Sequence, residues 1–148
     1  MREIDFIAMM YNKDRWVRGC LVKRGSYHIE SDKEKGRVMI RKETLSQFTG
    51  LVTKGGKRIY ENMVLRFVNK ECPYWFVVFR NGCFMLQSAT TVPDFHTFDE
   101  WKETIIEDAI IEGTVFDIEQ SEEYRKWRSM STEYSAMHPA LCIRLRMG

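Results

Sequence analysis

Apolar and polar residues alternate in short runs over most of the chain, which predicts half-buried strands. Ile4–Met9 is the first run, and Asn12-Lys13-Asp14 follows it with turn chemistry. Arg15–Lys23 alternates well enough for a strand, with Gly19 read as a bulge. Arg24-Gly25-Ser26 turns the chain into Tyr27–Glu30, residues 31–36 (SDKEKG) form a polar loop, and Arg37–Arg41 is a further strand. Phe48–Leu51, Arg58–Tyr60 and Val64–Phe67 continue the pattern.

One segment differs. Trp75–Phe79 and Cys83–Gln87 are apolar at nearly every position, and Arg80-Asn81-Gly82 separates them. Asn-Gly between β-prone runs marks a tight hairpin, since both residues tolerate positive φ. Runs apolar on both faces place this hairpin at the centre of the core. Helix signals come later. Thr97-Phe98-Asp99-Glu100 has the form of a capping box before Trp101–Ile106. Ala109–Ile118 reads as a strand with a bulge at Gly113, and Ser121 caps a helix with Glu122 and Glu123 in its first turn, through Trp127 and Met130. The stretch 131–148 is weakly patterned: His138-Pro139 breaks any helix, and Leu141–Leu145 could form a short strand. The fold expected is mainly β, all-β or β-rich α+β, with one or two short helices toward the C-terminus.

A chain of 148 residues with 44% hydrophobic content can build a core, and a single domain is expected over 1–148, with possible subdomains at 1–50, 51–120 and 121–148. No run approaches the roughly 18 apolar residues of a membrane span, and the N-terminus has no secretory pattern. Cys20, Cys72, Cys83 and Cys142 lie among apolar neighbours without a CxxC, so reduced, mostly buried thiols in a cytoplasmic protein are expected.

The net charge of +2 conceals an asymmetry: residues 1–60 carry 14 Lys/Arg against 7 Asp/Glu, and residues 61–120 carry 4 against 11. Opposite blocks of this kind suit packing within one chain or between copies. They also leave open nucleic-acid binding by the basic third, through Arg15, Arg18, Lys23, Arg24, Lys54, Lys57 and Arg58 with Trp16, Tyr27 and Phe48 beside them.

Residues 50–58 (GLVTKGGKR) nearly match a phosphate-binding loop, but the lysine comes one position late and Arg58 replaces the magnesium-binding hydroxyl. The flanks read as strands, where a phosphate loop opens a helix. A hairpin turn with its lysines in water is the expectation. His28, His96 and His138 have no metal-ligand spacing, Asp94 and Asp99 neighbour His96 only by proximity, and no nucleophile motif is present. The acids at 99, 100, 103, 107, 108 and 112 read as a solvated face. Neither catalytic, metal nor cofactor-binding residues are expected.

MREIDF at the start, DRWVRGCLVK at 14–23, LSQFTGL at 45–51, KGGKRIYE at 54–61, VVFRNGCFML at 77–86 and EGTVFDIEQSEEY at 112–124 together resemble the YopX-like family of phage and prophage proteins. The resemblance covers roughly residues 1–124, and QFTGL…IYE is its most specific part. It implies a mainly β fold, with the part after IYE similar to a small SH3-like barrel, and a mobile-element origin; it implies no activity. Asn62-Met63 stands where the family has Gly-Asp, and Gly113-Thr114 where it has Gly-Asn. The expected function is that of a non-enzymatic interaction or assembly module that self-associates, aided by Trp127, Met130, Tyr134, Leu141 and Ile143. Its other expected partners are a phage or host protein or, in the alternative reading, nucleic acid, with no membrane.

Overall fold

The computed structural model of the protein describes residues 3–31, 33 and 36–130. It is mainly β, with two antiparallel sheets of six and five strands and two short helices toward the C-terminal end. Among the described residues no helix is long and apolar enough to cross a membrane. The chain divides into two compact units, Met1–Gly50 and Leu51–Gly148.

The first unit is built from β1 (Phe6–Met9), β2 (Trp16–Arg24), β3 (Ser26–Ser31), β4 (Arg37–Met39) and β5 (Ser46–Val52), which extends two residues past Gly50. With β6 (Arg58–Tyr60) the sheet order is β4-β3-β2-β1-β5-β6. Directly opposed residues share a face. Ala8 opposes Val17, Leu21 opposes Ile29, and Ile29 opposes Val38. These residues, with Met10 and Ile40, make the unit's core. A single sheet buries them because it curls. Met10 bridges Ile40, the Tyr11 N–H donates to the Met39 carbonyl (2.9 Å) and the Arg41 N–H donates to the Met9 carbonyl (2.9 Å). The end of β1 thus meets the end of β4, three strands away in the meander.

Gly19 is not at a bulge. The β2–β3 register runs without a shift from Gly19↔Ser31 to Arg24↔Ser26. The glycine is required by close approach: a Cβ there would lie 2.0 Å from the Glu30 carbonyl oxygen.

The second unit contains β7 (Met63–Arg66), β8 (Tyr74–Arg80), β9 (Cys83–Ser88), β10 (Phe95–Thr97), α1 (Phe98–Asp108), β11 (Ile110–Thr114) and α2 (Glu122–Met130). The five-stranded sheet runs β10-β9-β8-β7-β11. Its centre is the β8–β9 hairpin, turned at Asn81 (φ 55°) and Gly82 (φ 79°) and closed by Arg80↔Cys83. Both faces are covered. On one, Leu65, Trp75, Val77 and Leu86 pack with Phe98 and Ile105 of α1. On the other, Val64, Tyr74, Phe76 and Val78 pack with Ile118 and with Tyr124 of α2. The Tyr74 and Tyr124 rings meet edge to face at 5.1 Å. Each buried side chain of this size contributes about 1.5–3 kcal/mol, enough to hold a nine-residue helix that is marginal alone.

The Thr97 hydroxyl accepts from the Glu100 N–H (3.2 Å) and starts α1. The register of β11 against β7 shifts between Ile111 and Gly113, a bulge as the glycine suggests. The strand ends at Thr114 rather than Ile118, because the Asp117 carboxylate accepts from the Thr114 N–H (2.7 Å) and a 3-10 turn follows at Ile118–Gln120. Among the described residues β10 and β11 are the outer strands and nothing pairs them, so no closed barrel forms there.

Candidate interaction surfaces

The turn after QFTGL joins β5 to β6 and opens no helix. The Thr53 N–H donates to the Lys57 carbonyl (2.8 Å), the Gly56 N–H to the Thr53 carbonyl (2.8 Å), and the Lys57 N–H to the Thr53 hydroxyl (3.2 Å). Lys54 does more than face water. Its N–H donates to the Ile106 carbonyl of α1 (2.8 Å), and its ammonium lies 3.4 Å from the Glu107 carboxylate. α1 ends in Glu107-Asp108 and has no basic residue in its last turn. A cation against the negative end of a helix is stabilising, so Lys54 supplies from outside what the helix lacks. Arg58 is half-buried in β6, and Lys57 remains exposed.

Two adjoining clefts border this contact. One, of about 560 Å³, lies between the Phe67–Lys70 loop and the end of α1. The other, of about 210 Å³, lies between the Thr53–Lys57 turn and Ile106–Ile111, and the two share Glu107, Ala109 and Ile110. Together they form a furrow whose lining includes two exposed apolar side chains, Val68 (66% exposed) and Ile110 (40%). Lys54 and Lys57 line the smaller cleft, Asp108 and Lys70 the larger and Glu107 both, and the Lys70 ammonium lies 4.0 Å from the centre of the Trp101 ring.

The remaining predicted basic residues all lie in the first unit. Arg18 Nε donates to Asp5 (2.7 Å), whose side chain is 7% exposed against 53% for Arg18. That acid is committed to Arg18 and weakens it as a phosphate ligand. Arg15 lines an open cavity of about 330 Å³ with Glu3, Glu30 and Lys33. Lys23 and Arg24 sit at the tip of the β2–β3 hairpin, where Lys23 opposes Tyr27. The ammonium groups of Lys23 and of Lys42, from the 3-10 turn, lie 5.3 and 5.2 Å from the Tyr27 ring centre. Of the predicted aromatics, Phe48 is buried, while Trp16 and Tyr27 are half-buried.

The acids read as a solvated face include several with partners. Glu107 meets Lys54, Glu100 meets His96 Nδ1 (3.0 Å), and Glu112 meets the Arg66 guanidinium, to which Glu123 of α2 adds a contact at 3.8 Å. The hydrogen bond to Glu112 raises the pKa of Arg66. His96 stacks on Trp101 at 4.7 Å. Among the described residues no group of three or more His, Cys, Asp or Glu is placed to hold a metal ion. Cys72 is buried, and burial pushes its thiol pKa up. Cys20 and Cys83 are exposed, contrary to the expectation of mostly buried thiols: Cys20 is on the outer face of β2, and Cys83 is the first residue of β9, next to the exposed Asn81-Gly82 turn. His138, Cys142 and the tail residues Tyr134, Leu141 and Ile143 lie outside the described residues.

No protein-family model matches the chain, and no curated protein matches its sequence. Sequence reading missed Lys42, Lys70 and Trp101 as parts of these surfaces; the elements that gather them are distant along the chain, and no local pattern announces their meeting.

Proposed function

We propose that the protein is a non-enzymatic interaction and assembly module that associates with a second copy of itself through the furrow of its second unit. The carrying observation is that the furrow is lined by both signs of charge and by exposed apolar side chains: Lys57 in the smaller cleft, Asp108 in the larger, and Val68 and Ile110 exposed beside them. A two-fold interface sets a patch against its own copy, so a patch of this kind is self-complementary. Lys57 of each copy meets Asp108 of the other, while Val68 and Ile110 leave water.

We further propose a phage or other mobile-element origin, kinship with the YopX-like family and action in the host-cell cytoplasm. QFTGL…KGGKRIYE supports the kinship, and so does Asn62, which takes φ 70° where the family has glycine. Asparagine is among the few residues that adopt this conformation readily. The SH3-like reading of the part after IYE belongs to the same proposal, supported by the antiparallel meander β7-β8-β9.

Sedimentation velocity over a concentration series tests self-association. The expected result is a reversible dimer that weakens as salt rises. Lys57→Glu or Asp108→Lys alone should weaken it, and the two together should restore it. A monomer at every concentration and salt, or a dimer indifferent to both reversals, overturns the proposal.

A further inference from the structure

The tip of the β2–β3 hairpin gathers positive charge in a way the first unit does nowhere else among its described residues. Lys23 comes from β2 and Lys42 from the 3-10 turn, and both ammonium groups rest against the Tyr27 ring. Arg24 is the next residue, exposed at the turn. Like charges held together repel, and an anion between them relieves the repulsion. Within the described part of the hairpin the only acid is Glu30, which opposes Cys20 and Arg37, about 10 Å from Tyr27 along β3 at the usual strand rise. Glu43 is the exposed neighbour of Lys42. One row from the tip, on the outer face that Arg24 shares and that Lys23 and Tyr27 do not, the half-buried His28 ring lies between Val22 and Met39, its Nδ1 3.2 Å from the Ser26 carbonyl. Met39 is 42% exposed. A nucleic-acid strand that passes round the tip can set its phosphates against the lysines on one side and stack a base on the ring that Arg24 flanks on the other.

We propose that this tip binds single-stranded nucleic acid, with Lys23, Lys42 and Arg24 on the phosphodiester backbone and His28 under a base. This goes beyond self-association and uses a different surface. An anionic membrane would need an apolar group at the point of contact, and the tip itself is Arg24-Gly25-Ser26, all exposed. The charge complementarity therefore favours a nucleic acid over a lipid surface.

The test is fluorescence anisotropy of a labelled single-stranded DNA oligonucleotide titrated with the full chain over a series of salt concentrations. Affinity should fall as salt rises. The Lys23→Gln, Lys42→Gln double variant should reduce the log–log salt slope by about 1.4, since each phosphate contact to a single strand contributes about 0.7. Lys102→Gln, an exposed change on α1, should leave affinity and slope as they were. Thermal melting of each variant checks that it remains folded. No binding at low salt overturns the proposal, and so does a double variant that binds like the parent. Equal weakening by Lys102→Gln overturns it as adventitious polyanion binding. Binding to phosphatidylserine vesicles that the double variant loses, without oligonucleotide binding, overturns it in favour of a membrane.

Discussion

The first unit encloses its core with one curled sheet, leaving the outer face of that sheet to water; the second buries both faces of its central hairpin beneath α1 and α2. The difference is written in the residue pattern. Trp16-Val17-Arg18 alternates, and only Val17 is buried, whereas Tyr74 to Val78 is buried at every position. A strand covered once needs one apolar residue in two, and a strand covered twice needs all of them. Charge follows cover as well: the basic tip projects from the once-covered sheet, while the furrow forms where α1 runs out beside β11.

Three measurements can break or sharpen this contrast. The largest effect is expected at Phe76, which is fully buried among residues that α2 covers. Phe76→Ala should cost about 3–5 kcal/mol in urea unfolding; a loss below 1 kcal/mol would mean that α2 does not cover that face in solution. Next is Gly19→Ala, whose methyl group would collide with the Glu30 backbone. It should cost about 1–3 kcal/mol and raise amide exchange along β2 and β3; unchanged exchange there would count against the close strand approach. The smallest effect concerns pH. Burial raises the pKa of the Cys72 thiol above its ordinary 9.0 and that of the Tyr74 hydroxyl above its ordinary 10.0. In both cases the unfolded chain releases its proton first. Stability from these groups is therefore full below pH 9 and declines as pH rises above it. Cys72→Ala should flatten the early part of that decline, and an unaltered pH profile would show that the thiol is not buried in the native state.

Much of the fold is legible in the sequence because it depends on neighbours. Asn81-Gly82 dictates a hairpin, Thr97 a helix start and Gly113 a bulge, each through a local conformational requirement. β10 escapes notice: Phe95–Thr97 is three residues long and runs directly into α1, so no periodicity develops. Gly19 misleads because a bulge and a close approach both demand the same residue. The Met10–Ile40 bridge is a single pair with no repeat to betray it. The surfaces are harder still. Lys54 and Lys57 look alike in the sequence, yet only Lys54 is tied to the end of α1, and that distinction arises from folding alone.

The meeting of Met10 with Ile40 has a consequence for colloidal behaviour. β4 is three residues long, and past its end the backbone groups of Met39 and Arg41 are already taken by Tyr11 and Met9. A foreign strand seeking to extend the meander there finds few open amides and carbonyls. Runaway strand addition, the usual hazard of an open β-sheet, is thereby blunted at that margin.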